Sequence, residues 1–485
     1  MKHTKTLVFA VLLLLGTGVK AQYAPANNLE YHSFRNPNAN DLNPAFFPIR
    51  NSIFVRLPQM GFEMGMPFAI SDVLHYDRET QTTVLNFNDM LNALHADNDI
   101  RSAFDVEVLG AGAKFGSLFV TFNTRLHADF NLGLPVQSLT TLEQGNYNDD
   151  GSSNNELVVL DGDLLSTQAY AEVALGAAYK LPMIDLTVGA RAKLLYGMFN
   201  MQTANSRVSL TTSDNADTLT ARINYQLQQA GAVQYDTSAH EMIFNRNELF
   251  DLSHANSGLA FDLGAKYKLG PFTFSFALND ISRGIHWQQN VNTITPRGGA
   301  ATVQFTGIDI SEMLVDGRVN TDTLTTLLNE KIDELQPQFT QNAGSYWSPI
   351  PTKIMIGASY SMGSLLRAGL LLHGQWDRGI FSIDESSSAL GLPKIDNTFR
   401  FNTTASVGVN LSDWFEVIVG SSLVYDGEHI DLFNPGCSMI FSAFGAAQIY
   451  FTVDYVSSIF FTDFKAFHFK SGMNVMIGRG NKNKS

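Results

Sequence analysis

The sequence predicts an all-β fold: a transmembrane antiparallel β-barrel of about 14 strands, with a short N-terminal plug and long extracellular loops. Three observations lead there. Apolar and polar residues alternate over runs longer than globular strands usually reach. Beyond the first residues, no run of 18 or more apolar residues offers a helical membrane span. Tight and long connections alternate along the chain, as they do in barrels with short turns on one side of a membrane and long loops on the other.

Residues 1–21 read as a secretory signal peptide. Lys2 and Lys5 precede an apolar run from Leu7 to Leu15, and Val19-Lys20-Ala21 forms a small-x-small cleavage site. Cleavage near Ala21 leaves Gln22 as the new N-terminus. The apolar run is too short to span a bilayer as a helix. Residues 22–50 then form the plug segment, 51–478 the barrel and 479–485 a periplasmic tail.

Composition fits this reading. Of the 485 residues, 16% are charged, against about 25% in typical soluble domains. The formal charge is −14, and loss of the leader lysines makes the chain more acidic still. That balance excludes a nucleic-acid partner, because phosphate binding needs clustered Lys and Arg. The lone Cys437 leaves no disulfide scaffold and argues against a cysteine metal site.

The strands follow from parity, since successive strand residues point to opposite faces. Ile184, Leu186, Val188, Ala190, Ala192, Leu194, Tyr196 and Met198 share one face, with Asp185, Thr187, Arg191 and Lys193 on the other. Leu259, Phe261, Leu263, Ala265 and Tyr267 oppose Asp262, Lys266 and Lys268. Phe272, Phe274 and Phe276 oppose Thr273 and Ser275. The same pattern recurs over Phe399–Leu411, Gln448–Tyr455 and Phe467–Ile477. Aromatics at run ends (Tyr179, Tyr196, Tyr225, Trp414 and Tyr455) suit interfacial girdles.

Six tight hairpins are expected near Gly116, Pro182, Gly270, Gly363, Ser412 and Gly445. Long polar stretches separate them, over 71–103, 131–167, 200–256, 285–351, 377–395 and 427–434, with a last connection over 458–465. A first strand over 52–70 and a last over 466–478 complete an even set with both termini in the periplasm. Pro58 and Pro67 interrupt the first strand's ladder. Within the loops, 321–337 reads as an amphipathic helix, 86–96 as a second short helix, and 206–213 with 217–227 as a hairpin.

No catalytic pattern is present. The chain lacks H-E-x-x-H, G-x-S-x-G, Walker and dinucleotide motifs. His127, His373 and His468 share the inward parity without an identifiable serine partner. Asp149-Asp150 and Asp161-Gly162-Asp163 read as solvated turns, since they lack an EF-hand's ligand set. Neither enzyme activity nor a cofactor or metal is expected.

The inward parity collects Arg125, His127, Asp129, Arg191, Lys193, Asp262, Lys266, Lys268, Arg400, Glu416, Asp454, His468 and Lys470. Two readings stand. These residues form a mixed polar interior whose ion pairs hold the plug, or a conduit whose basic members attract a carboxylate or other anion. Phe46, Phe47, Phe54, Met60, Phe62, Met64, Met66, Phe68 and Ile70 either line an apolar pocket or serve as plug packing and lipid-facing surface.

The stretch Asn36-Pro37-Asn38-Ala39-Asn40-Asp41-Leu42-Asn43-Pro44-Ala45-Phe46-Phe47-Pro48, lying just before the first strand, resembles the long-chain fatty acid transporter (FadL-like) superfamily, including barrels of the PorV type. Several further stretches are similar to a family of Bacteroidetes outer-membrane proteins of unassigned function. They are Gly258–Ala265, Leu278-Asn279-Asp280-Ile281 with Ile285-His286-Trp287, Pro351–Ala358 and Met473–Gly478. The resemblance implies a plug built on Asn36, Pro37, Asn43, Pro44, Ala45, Phe46 and Phe47 inside a fourteen-stranded barrel of the cell outer membrane, in contact with its lipids. It implies passage or binding of a small hydrophobic or amphipathic ligand. The PorV-type likeness implies an alternative, a non-transporting barrel serving surface secretion or motility proteins as partner or scaffold.

Overall fold

The computed structural model describes residues 28–33, 35–47, 53–68, 74–77, 82–85, 87–94, 98–138, 140, 157–161, 164–213, 218–236, 241–249, 256–306, 314–315, 318–319, 338–379, 399–425, 430–443, 446–456 and 466–477. The expected signal peptide, the helix over 321–337, the Asp149-Asp150 turn and the 479–485 tail lie outside these residues. The expected helix over 86–96 is a helix over Phe87–Ala93.

Fourteen antiparallel strands close a barrel. They are β1 (Ile53–Arg56 continued by Gln59–Gly65), β2 (Asp99–Phe115), β3 (Leu118–Gly133), β4 (Leu165–Lys180), β5 (Leu186–Thr212), β6 (Ser257–Leu269) and β7 (Phe272–Ser282). The second half is β8 (Thr352–Met362), β9 (Leu366–Trp376), β10 (Phe399–Ser412), β11 (Phe415–Tyr425), β12 (Ile430–Ala443), β13 (Ala447–Asp454) and β14 (Ala466–Ile477). Each strand pairs with its sequence neighbour among these fourteen. The seam closes at β1, where Phe62 sits opposite both Phe104 of β2 and Phe469 of β14.

Pro58 has no N–H to give, so β1 breaks there. Leu57 N–H still reaches Met473 O at 2.9 Å. Across the break, Arg56 opposes Asn474 while Met60 opposes Ser471, so β1 carries one extra residue, a bulge. The strand ends at Gly65, short of the expected 70. At the opposite rim the described hairpin turns near Gly116, Gly270 and Gly363 are tight, and Gly445 lies outside the described residues. Gly116 and Gly270 take φ of 62° and 59°, a region that a side chain disfavours and a two-residue hairpin loop needs.

Outward positions carry the apolar side chains. Leu259, Phe261 and Leu263 on β6, Phe272, Phe274 and Phe276 on β7, Leu370 on β9 and Val407 on β10 are all exposed. A continuous exposed belt of this kind is unfavourable in water and favourable against hydrocarbon, so the wall is a membrane-spanning one. Tyr179 and Trp414 stand exposed at the turn end of the belt, and Tyr196 is partly exposed near its loop end. Two girdle expectations fail. Tyr455 is buried, its hydroxyl accepting from Asn402 and Asn28. Tyr225 packs on Phe339 away from the wall.

Several expected loops are partly strand. β5 runs on to Thr212 and pairs with Thr218–Gly231, so half of the stretch 200–256 is a ladder rising above the wall. Val291–Pro296, Ala301–Thr306 and Phe339–Asn342 extend that sheet, within the stretch expected as loop 285–351.

Candidate functional site

Residues 28–33 and 35–47 lie in the lumen. Their sequence explains why they stay irregular: Pro37 and Pro44 cannot donate, and five asparagines compete with regular structure through their own side chains. Asn36 Oδ1 accepts from Asn38 N–H at 3.1 Å, and Asn43 Oδ1 accepts from Ala45 N–H at 2.9 Å. Among the described residues of this segment, two short turns are helical, Glu30–His32 and Ala39–Leu42.

A buried irregular chain must satisfy its backbone elsewhere, and the inward side chains of the wall do so. Arg367 donates to His32 O at 2.9 Å, Arg191 to Asn40 O at 3.0 Å, Asn279 to Leu42 O at 2.8 Å and Gln448 to Arg35 O at 3.3 Å. In return Arg35 donates to Ser412 O, and Asn43 to Ala265 O and Phe276 O. Lys470 pairs with Glu30 at 2.8 Å. Asn28 N–H donates to Asp454, and the Asn28 amide oxygen meets His373 Nδ1 at 2.9 Å.

Asp41 is the electrostatic hub. It lies 2.6 Å from Arg56, 2.6 Å from Arg125 and 3.4 Å from Arg191. Burial alone would raise its pKa, but the arginines hold it well below the usual carboxylate range. Glu107 supports the same arginines, at 3.0 Å from Arg56 and 2.8 Å from Arg125. His32 is pushed the other way: burial, helped by Arg367, lowers it to about 4, so the docked imidazole is neutral.

Above this layer, toward the loop end, Lys193 meets Asp280 at 2.6 Å, Asp262 at 3.0 Å and Glu172 at 3.7 Å. His127 lies 3.5 Å from Glu172 and His468 3.0 Å from Asp454. Higher still, Arg101 on β2 and Arg400 on β10 converge on Asp377 from opposite sides of the barrel.

The wall is also shaped to the plug. A side chain at Gly189 would come within 2.7 Å of Ala45 N, one at Gly357 within 2.6 Å of the Tyr31 ring, and one at Gly369 within 2.7 Å of the His32 ring. At Gly264 it would collide with Asn43 and Pro44. Opposite, Leu29 fills the space left by Gly420 and Gly436. Two apolar clusters complete the interior. Tyr31, Leu42 and Phe46 of the plug pack on Ala277, Met355 and Leu371 of β7, β8 and β9. Toward the loop end, Trp287 packs with Tyr170, Leu195, Ala260, Ile285, Tyr346 and Ile350, its indole donating to Ser348 at 2.8 Å.

The inward-parity residues thus divide by role. Arg125, Arg191, Lys193, Asp262 and His127 join one connected charge network. Lys470 and Asp454 bind the plug directly, His468 through Asp454, and Glu416 lies 3.8 Å from Arg367. Arg400 is at the loop end. Lys266 stands over the Phe46 and Phe47 rings at 5.7 and 5.3 Å. Lys268 is exposed at the turn end, outside this network. Of the large residues near the N-terminus, Phe46 and Phe54 are buried, Phe47 packs on Phe119 and partly buried, and Met60 and Phe62 face outward. Ile70 lies outside the described residues. Sequence reasoning missed Arg56, Glu107, Asp41 and Asp280 as charge partners. It also missed the glycine track and the Trp287 cluster.

A family model described as a family of unknown function, DUF5723, matches residues 44–454. A comparison with curated proteins finds no significant match. Among solved structures, the chain is similar to a TodX deltaS2S3 mutant monoaromatic hydrocarbon channel, at 9% identity over 92% of this chain and 95% of that one, with a TM-score of 0.41. It is similar to a Pseudomonas aeruginosa FadL homologue at 10% identity over 91% and 94%, TM-score 0.39. The P. putida toluene transporter TodX gives 10% identity over 93% of each chain, TM-score 0.36.

Proposed function

The chain belongs to the DUF5723 family, whose function is unknown, and we propose that it is an outer-membrane barrel that binds or passes a small hydrophobic or amphipathic molecule when its N-terminal plug is displaced. One observation carries this reading. Among the described residues, 28–47 join no ladder of the wall, and side-chain hydrogen bonds, ion pairs and packing hold them there. The wall's own pairing closes without them, so the plug is separable from the barrel.

What the plug covers suggests the ligand. Its departure bares Ala277, Met355 and Leu371, and the Trp287 cluster continues that apolar side through Leu195 and Ala260. On the other side, Arg56, Arg125 and Arg191 lose the Asp41 carboxylate. A ligand with an apolar body and an anionic head replaces both sets of contacts, the carboxylate by charge-assisted hydrogen bonds to arginine. The tight turns face the periplasm and the raised sheet faces outward.

Native mass spectrometry of the barrel, purified gently from its own membrane, tests this. A fatty-acid-like ligand, retained by the wild type and lost when Arg125 and Arg191 become Gln, is the expected result. An empty barrel that keeps another protein at fixed stoichiometry would replace this reading with the scaffold one.

A further inference from the structure

We propose that a groove on the outer face of the wall, where β5 and β6 meet the segment after β7, holds one phosphate-bearing anionic lipid of the surrounding leaflet. The site lies outside the plugged lumen and does not depend on the transport reading. The groove encloses about 490 Å³, and Leu194, Tyr196, Leu259, Arg283, His286 and Trp347 line it.

Its floor is apolar and faces outward. Leu194 and Leu259 are register partners on β5 and β6, 47% and 57% exposed. Its rim is cationic and rigid. The Arg283 guanidinium lies 4.4 Å above the Trp347 ring, and Trp347 stacks on His286 at 4.5 Å with 6° between planes. The stack is anchored in the ladder, since His286 pairs with Trp347 on one side and Ser257 on the other. Gly284, at φ 100°, turns the chain tightly against Ser348, which fixes where Arg283 begins.

Among the described residues Arg283 makes no ion pair. A guanidinium stacked on an indole keeps its in-plane N–H donors free for an oxyanion. It therefore presents positive charge at the loop-end edge of an apolar belt, above two leucines. That pairing matches an anionic head group over an acyl chain. A zwitterionic head would bring its own cation to Arg283. The volume suits one amphiphile, within the range of small-ligand pockets.

The test uses the full chain in detergent, titrated with phosphatidylglycerol or phosphatidylcholine of identical acyl chains and followed by native mass spectrometry. One phosphatidylglycerol per barrel should be retained with about tenfold preference. Arg283→Gln should bring the two lipids to parity with thermal unfolding unchanged, because Arg283 lies outside the wall strands. Leu259→Asn should weaken both lipids alike. Three results would overturn the proposal: equal binding of both lipids by the wild type, a preference that survives Arg283→Gln, or displacement of the lipid by millimolar inorganic phosphate, which marks a free-anion site.

Discussion

Replacing Asp41 by Asn separates the plug from the wall most sharply. The substitution keeps the shape of the side chain and removes only its charge. Three arginines then lose a partner, at 2.6, 2.6 and 3.4 Å. Breaking a buried ion pair from one side costs about 3–5 kcal/mol. Glu107 still neutralises part of Arg56 and Arg125, so the lower figure applies, about 3 kcal/mol, or on the order of 100-fold in the docking constant. The loss should fall on plug docking rather than on the barrel, because no wall ladder runs through residues 28–47. Hydrogen exchange reads this directly. The amides of Asp41, Asn43 and Phe46, bonded within the plug to Asn38, Ala39 and Asn43, should exchange about 100-fold faster, while β6 and β7 amides keep their protection. Unchanged plug exchange would refute the hub. Parallel acceleration of wall and plug would refute their separability.

Further outcomes follow from the same geometry. Docked His32 titrates at about 4 against 6.5 when free, so the released plug binds the extra proton between those values. Docking is therefore fully favourable above pH 6.5 and weakens on acidification toward pH 4, by on the order of 3 kcal/mol. Asp41 acts in the same direction but only below about pH 4, since its docked pKa is depressed. His32→Gln should flatten the pH 4–6.5 limb of plug exchange, and a limb that persists assigns it to another group. Gly264→Val places a side chain where Asn43 and Pro44 lie and should weaken docking by about 1–3 kcal/mol. Gly344→Val, with open space around it, should change nothing, and equal effects of the two would contradict the glycine track. Trp287→Ala should cost the loop-end cluster about 3–5 kcal/mol, seen as faster exchange over Ile285–Trp287 and Tyr346–Ser348 with the plug unaffected.

How far the sequence speaks differs between wall and contents. Alternation places Phe272, Phe274 and Phe276 outside and Arg191, Lys193 and Asp262 inside because a membrane wall needs opposite chemistry on its faces. Above the membrane that need ends. Over residues 200–206 polar side chains fall on both parities, with only Met201 and Ala204 between them, so the upper half of β5 reads as loop. Parity also slips at bulges: the irregularity at Ala169 and Tyr170 accompanies burial of both Leu195 and Met198, which lie on opposite parities. Lys268 shares the inward parity but sits too near the strand end to be covered. The contents are less legible. Nothing local links Asp41 to Arg56, and Pro58 obscures the parity that would have placed Arg56 inside. Trp287 lies in a short strand with no periodicity around it. The glycines at 189, 264, 357 and 369 are visible in sequence, but their common purpose depends on which chain passes them.

The most direct measurement of plug-gated passage is uptake of a fluorescent fatty acid by vesicles containing the wild type, Asp41→Asn, and Asp41→Asn carrying Met355→Lys and Leu371→Arg. Faster uptake with Asp41→Asn, abolished by the two wall charges although the plug remains released, is the predicted result. Uptake indifferent to both the plug and the apolar wall would contradict it.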